Sequence, residues 1–137
     1  MRIMAIDFGL KRTGIAVTDP LKIIASPLTT VPTAQLLDFI KNYCATEQVE
    51  AFVVGLPLHL DGNPAQISQH VDGFAKRLAA LFPDCPVHRQ DERLTSVEAK
   101  RIILNSGIKK QKRQDKSLVD KIAAAVILEQ FMLENYW

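Results

Sequence analysis

Residues 2–20 read RIMAIDF-GLKRTG-IAVTDP, and this stretch decides the fold. RIMAIDF (2–8) is an almost continuous apolar run that ends in an acid and a glycine. A strand with one wet face alternates; a strand buried on both faces reads like this one. GLKRTG (9–14) has glycine at each end and reads as a turn, and IAVTDP (15–20) reads as a second strand, so a hairpin is expected. A third short strand is expected within Ile23–Val31. Pro27 confines it to a sheet edge, because proline cannot donate to a ladder.

Outward from the hairpin the period changes. Residues 33–46 place Leu36, Leu37, Ile40 and Cys44 on one helical face, with Thr33 as the expected N-cap. Residues 51–57 (AFVVGLP) form another short buried strand. Asn63-Pro64 reads as the N-cap and first position of a helix with Ile67, Val71, Phe74, Leu78 and Leu81 on its core stripe. His70, beside that stripe, is expected to be a packing residue. Residues 87–93 (VHRQDER) read as a strand. Thr95-Ser96-Val97-Glu98 reads as a capping box for a helix that stops near Gly107. Ser117–Glu134 is expected to be one long, alanine-rich helix. The order β-β-β-α-β-α-β-α, with a final helix, implies an α/β fold: a mixed five-stranded sheet with helices on both faces. Ligands of such sheets gather at the carboxyl ends of the central strands.

The chain has 137 residues, 47% of them hydrophobic and 23% charged. That is the length and composition of one globular domain, expected here to span residues 1–137. No stretch approaches the roughly 20 apolar residues of a membrane span. Asp7 comes too early for a signal peptide's apolar region. A cytoplasmic protein with no membrane partner is expected. Cys44 and Cys85 form no CxxC pair, and the three histidines have no zinc spacing, so buried or semi-buried free thiols are expected. The net charge is +2. Lys109–Lys116 (KKQKRQDK) holds five bases and one acid, which reads either as a solvated loop or as a contact to a phosphate backbone.

The carboxylates carry the chemistry. Asp7 ends a buried apolar run, where an unpaired charge costs several kcal/mol or becomes protonated, so it needs a cation. Asp120 has Ala124 and Ile127 at i+4 and i+7, on or beside a stripe that faces the sheet. Ala123-Ala124-Ala125 would let that helix approach closely. Together with Asp91 or Glu92, these acids can converge from two strand ends and one helix. Three carboxylates without matching buried bases suit a hard cation, Mg²⁺ or Mn²⁺. Two such ions form a clamp for phosphodiester hydrolysis. The plainer alternatives are Asp7 capping the Gly9–Gly14 turn, Asp120 paired with Lys116 or Lys121, and Asp91 or Glu92 paired with Arg93.

Four motifs occur in order along the chain. They are Asp7-Phe8-Gly9 with Lys11-Arg12-Thr13-Gly14; Val54-Gly55-Leu56-Pro57-Leu58 with Asp61-Gly62; Asp91-Glu92-Arg93-Leu94-Thr95; and Val119-Asp120 with Ala123-Ala124 and Ile127-Leu128. Together they closely resemble the YqgF/RuvX family over essentially the whole chain. The resemblance implies an RNase H-like fold and a metal-dependent nuclease that processes the 5′ end of pre-16S rRNA in ribosome biogenesis. It also implies an alternative, resolution of Holliday junctions as in RuvC. The implied metal-binding and catalytic acids are Asp7, Glu92 and Asp120, holding Mg²⁺ or Mn²⁺. Strand parity puts Asp91 and Glu92 on opposite faces, and the choice of Glu92 rests on the resemblance. Lys11, Arg12 and Arg93 are the bases nearest the acids in sequence and could hold phosphate, while Lys109, Lys110, Lys112 and Arg113 could track a nucleic-acid backbone. The partners expected are precursor rRNA, branched DNA and the ribosome, with the protein a monomer or weak homodimer. A nucleic-acid-binding module that has lost catalysis would share the fold; loss of a motif acid would favour it, and all are present.

Overall fold

In the computed structural model, which describes residues 1–56, 67–91 and 116–137, the central strand is β1, Arg2–Asp7. Ile3, Met4, Ala5 and Ile6 are all 0% exposed, as a run apolar on both faces requires. β1 pairs antiparallel with β2 (Arg12–Thr18) and parallel with β4 (Val49–Leu56). β2 pairs antiparallel with β3 (Ala25–Pro32), and β4 pairs parallel with β5 (Val87–Asp91). The five-stranded mixed sheet therefore runs β3-β2-β1-β4-β5, with proline-bearing β3 at an edge as expected.

Each face of the sheet has its own core. Met4, Ile6, Ile15, Phe52 and Val54 pack under α1 (Leu36–Thr46) and α2 (Ser68–Leu81), through Leu36, Ile40, Val71, Phe74 and Leu78. Ile3, Ala5, Ala16, Ala51 and Val53 pack under α3 (Lys116–Asn135), through Ala124, Ile127, Leu128, Phe131 and Met132. Alanines on the sheet and Ala124 on the helix are what allow α3 to lie so low. Helices thus cover both faces, as the β/α order implied. No helix among the described residues is long and apolar enough to cross a membrane.

Four local expectations are corrected. β2 starts at Arg12 rather than Ile15, because the hairpin ladder continues until Asp7 meets Gly14. The turn is correspondingly tighter. A Cβ on Gly9 would stand 2.3 Å from the Arg12 carbonyl oxygen, a space only glycine leaves open. Thr33 is not the α1 N-cap; it opens a 3₁₀ turn over Thr33–Gln35, and its hydroxyl serves the β1–β2 turn instead. Leu81 is 43% exposed, because Phe82 turns back to pair its ring with Phe52 at 5.4 Å and takes the core position. His70 is exposed rather than packed. The expected helix start at Asn63-Pro64 and the helix from Thr95 to Gly107 lie outside the described residues.

Candidate active site

Asp7 is the last residue of β1. Ile3 and Ala5 belong to the core under α3, and alternation gives Asp7 the same face. Across the hairpin its register partner is Gly14. There α3 comes down onto the sheet. A Cβ on Gly14 would stand 2.0 Å from the Asp120 backbone oxygen and 2.8 Å from the Lys121 nitrogen. Any side chain at 14 would lift the helix. Gly14 is therefore the point that brings Asp120, 106 positions later in the chain, beside the strand end that carries Asp7.

Arg12 completes this corner. It shares the parity of Gly14 and Ala16, and its Nε donates to Asp120 Oδ2 at 2.5 Å, with side chains 40% and 24% exposed. The sequence suggested Lys116 or Lys121 as the plain partner of Asp120. The partner is Arg12, a base that residue spacing along α3 could not reveal. The Arg12 guanidinium therefore compensates the Asp120 charge in the metal-free protein.

The turn above the site is fixed from the other face. Thr33 Oγ1 donates to the Gly9 carbonyl at 2.6 Å and shares a hydrogen bond with Thr13 Oγ1 at 2.9 Å. The Thr33 amide donates to the Lys11 carbonyl at 3.0 Å. Thr13 is fully buried, so its hydroxyl needs such a partner. This clamp holds the Gly9–Lys11 turn against the end of β1 and leaves the Lys11 side chain in solvent. Sequence reading missed it. The available signal was a threonine at an inward-facing strand position, which always asks for a partner.

β5 decides between the two neighbouring acids as far as Asp91. Val87 packs with the α1/α2 core, and Arg89 Nη1 donates to Asp72 of α2 at 2.7 Å. His88 lies against Phe131 of α3, with ring centroids 5.0 Å apart. Asp91, in register with Leu56, has the parity of Val87 and Arg89 and so belongs to the face opposite Asp7. Glu92, Arg93, Lys109, Lys110, Lys112 and Arg113 lie outside the described residues. Among the described residues no three of His, Cys, Asp and Glu stand close enough to hold an ion together. Asp7 and Asp120 nevertheless suit a divalent cation. Both offer only hard oxygen donors at one end of the sheet, and a cation bound there would share Asp120 with the Arg12 guanidinium or displace it. The thiols are no rival: burial pushes Cys44 and Cys85 upward in pKa, away from the reactive thiolate.

The sequence profile of RuvX, described as Holliday junction resolvase, matches residues 1–134. The chain belongs to the RuvX family. A relative from Porphyromonas gingivalis, named as a candidate pre-16S rRNA nuclease, is 51% identical over 131 residues, covering 96% of this chain and 95% of its own. A relative of the same name from Flavobacterium johnsoniae is 47% identical over 131 residues, with the same two shares, 96% and 95%. Among solved structures, the fowlpox virus resolvase in complex with Holliday junction DNA superposes with a TM-score of 0.63 at 10% identity, over 100% of both chains. Thermus thermophilus RuvC in complex with a Holliday junction substrate gives 0.59 at 18% identity, over 98% of this chain and 95% of that one. At these identities the likeness is one of fold. It sets this RuvX chain among the RNase H-like folds, as its motifs implied.

Proposed function

We propose that this RuvX-family chain is a divalent-metal-dependent nuclease that hydrolyses phosphodiester bonds while trimming the 5′ end of pre-16S rRNA. The observation that carries the reading is the closure of α3 on Gly14, which sets Asp120 beside Asp7 with Arg12 between helix and strand. The names of its half-identical relatives support RNA as the substrate. Asp7, Asp120 and Glu92 are the residues that would hold Mg²⁺ or Mn²⁺. Asp91 belongs to the sheet face opposite Asp7, and the choice of Glu92 rests on the family motif Asp91-Glu92-Arg93. When bound, such ions supply an activated water and stabilise the charge that develops on the phosphate.

The chain's own residues do the positioning. Asp7 is rooted in the central strand, so it has the least freedom to move. Asp120 is held by the close backbone contact of its helix with Gly14 and by the hydrogen bond that Arg12 donates to its carboxylate. Arg12, partly exposed and anchored on Asp120, can offer its guanidinium to an incoming phosphate, with Lys11 at the neighbouring turn. Arg93 and the run Lys109, Lys110, Lys112 and Arg113 extend the basic contact along the strand being cut. Residues 1–137 act as one domain in the cytoplasm, on the ribosome's precursor RNA, as a monomer or weak homodimer.

A second reading, resolution of four-way DNA junctions, is favoured by the family's description and by the likeness to resolvase folds. Incubation of the protein with a 5′-extended 16S precursor or with a four-way junction, each with Mg²⁺ or Mn²⁺, separates the two. Cleavage of the precursor near the mature end, with the junction intact, is expected. Faster cleavage of the junction would favour the second reading, and metal-independent cleavage of either would refute the first.

A further inference from the structure

On the sheet face opposite Asp7, a cavity of about 360 Å³ opens at the same end of β1. Its floor is apolar: Phe8, the residue after Asp7, and Phe74 of α2 pair their rings at 5.3 Å. Its rim carries Gln69, His70 and Arg77, all exposed, and no acid among the described residues lines it. Gly73 forms the wall between them. It sits inside α2, where glycine is the least favourable residue after proline. Nothing crowds it: a Cβ at Gly73 would meet no atom within 4 Å. Gly14 is a glycine because a helix lies against it; Gly73 has no such reason. A side chain there would project into the cavity, so this glycine keeps the cavity open.

We infer that this cavity receives one unpaired nucleotide of the single strand being processed. The size lies within the range of small-ligand pockets, about 300–1,000 Å³. Phe8, half-buried and backed by the buried Phe74 ring, offers a face on which any base can stack regardless of identity. Gln69 and His70 match the edge of an extruded base, and Arg77 matches its phosphate. Phe8 and Asp7 are consecutive, so the base would be held one residue from the carboxylate proposed to act on the backbone. The inference deepens the nuclease reading and rests on it for the identity of the strand.

The test is binding of a fluorescein-labelled pentauridylate, followed by anisotropy in EDTA, where metal-dependent cleavage is switched off. Gly73→Leu, which fills the recess, and Arg77→Gln are each expected to weaken binding about tenfold or more. Binding of a blunt duplex should change by less than twofold. Leucine is a better helix former than glycine, so the melting temperature of Gly73→Leu should match or exceed wild type. Unchanged pentauridylate affinity in a stably folded Gly73→Leu or in Arg77→Gln would overturn the inference. Uridine monophosphate competing as tightly as the pentamer would overturn it too, assigning the cavity to a free nucleotide. A wild type that binds the pentamer through these residues yet cuts neither precursor nor junction with metal would sink the nuclease reading and leave the cavity standing.

Discussion

Gly14→Ala is the substitution whose consequence the geometry specifies most fully. The added methyl would stand 2.0 Å from the Asp120 oxygen, 2.3 Å from its carbonyl carbon and 2.8 Å from the Lys121 nitrogen. Carbon contacts relax only near 3.5 Å, so α3 must retreat by roughly 1.5 Å at this point. The obstacles are backbone atoms, which no rotamer change can move aside. The cost therefore belongs at the upper end of overpacking, about 3 kcal/mol. For a chain of this size that corresponds to a fall of roughly 10 °C in Tm. The same retreat carries Asp120 away from Asp7, and a displacement of about 1 Å in a catalytic group costs on the order of 100-fold in rate. Calorimetry and single-turnover cleavage measure the two effects separately. Gly73→Ala is the control, since an alanine there meets nothing and should hold or raise the Tm. A Gly14→Ala protein that melts with wild type would refute the close approach. One that melts lower yet cuts at the wild-type rate would refute the placement of Asp120 in the site.

Three further outcomes follow from other corners of the molecule. Arg12→Gln removes the cation on Asp120; titration calorimetry should show tighter Mn²⁺ binding, while metal-free stability falls by less than about 1 kcal/mol because the pair is half exposed. Weaker Mn²⁺ binding would mean that Arg12 orients the Asp120 carboxylate for the ion rather than competing with it. Changing Lys109, Lys110, Lys112 and Arg113 to Gln should weaken binding to every RNA sequence alike and flatten its salt dependence by about one slope unit per lost contact. An unchanged slope would return the run to solvated loop. Asp19 accepts amide hydrogens from Ile24, Ile23 and Leu21, which hold its carboxyl below its ordinary value despite partial desolvation. Its contribution is present above the unfolded pKa near 4 and is lost as pH falls through the depressed folded one. Urea unfolding between pH 2 and 5 should therefore show a shallower acid limb in Asp19→Asn.

Most of the fold was legible because burial leaves a periodic record. The unbroken run at Ile3–Ile6 announced a central strand, Pro27 an edge, and Ala124 with Ile127 the buried stripe of α3. Asp7 and Asp120 stood out by the same logic, as charges placed where apolar residues belong. Illegible were the contacts that join distant positions. Arg12 meets Asp120 across 108 residues, and Thr13 meets Thr33 across 20, so no local spacing encodes either. The same blindness misassigned Thr33. Its hydroxyl suits a helix cap, but a tight turn with an exposed carbonyl at Gly9 claimed it first. His70 failed differently, since a position beside an apolar stripe faces a core only if something packs there, and in this molecule a cavity does.

Asp7 is the carboxylate proposed to anchor metal for cleavage. The most direct test of this role is single-turnover cleavage of the 5′-extended precursor by Asp7→Asn at saturating Mn²⁺, with thermal unfolding of the same sample. The substitution keeps the side chain's shape and removes its charge. The protein should fold, which the unfolding curve of the same sample checks. Cleavage should fall by about three orders of magnitude or more, since ion-borne charge stabilisation supplies most of the rate. A folded Asp7→Asn protein that cuts as fast as wild type would contradict the assignment of this corner as the active site.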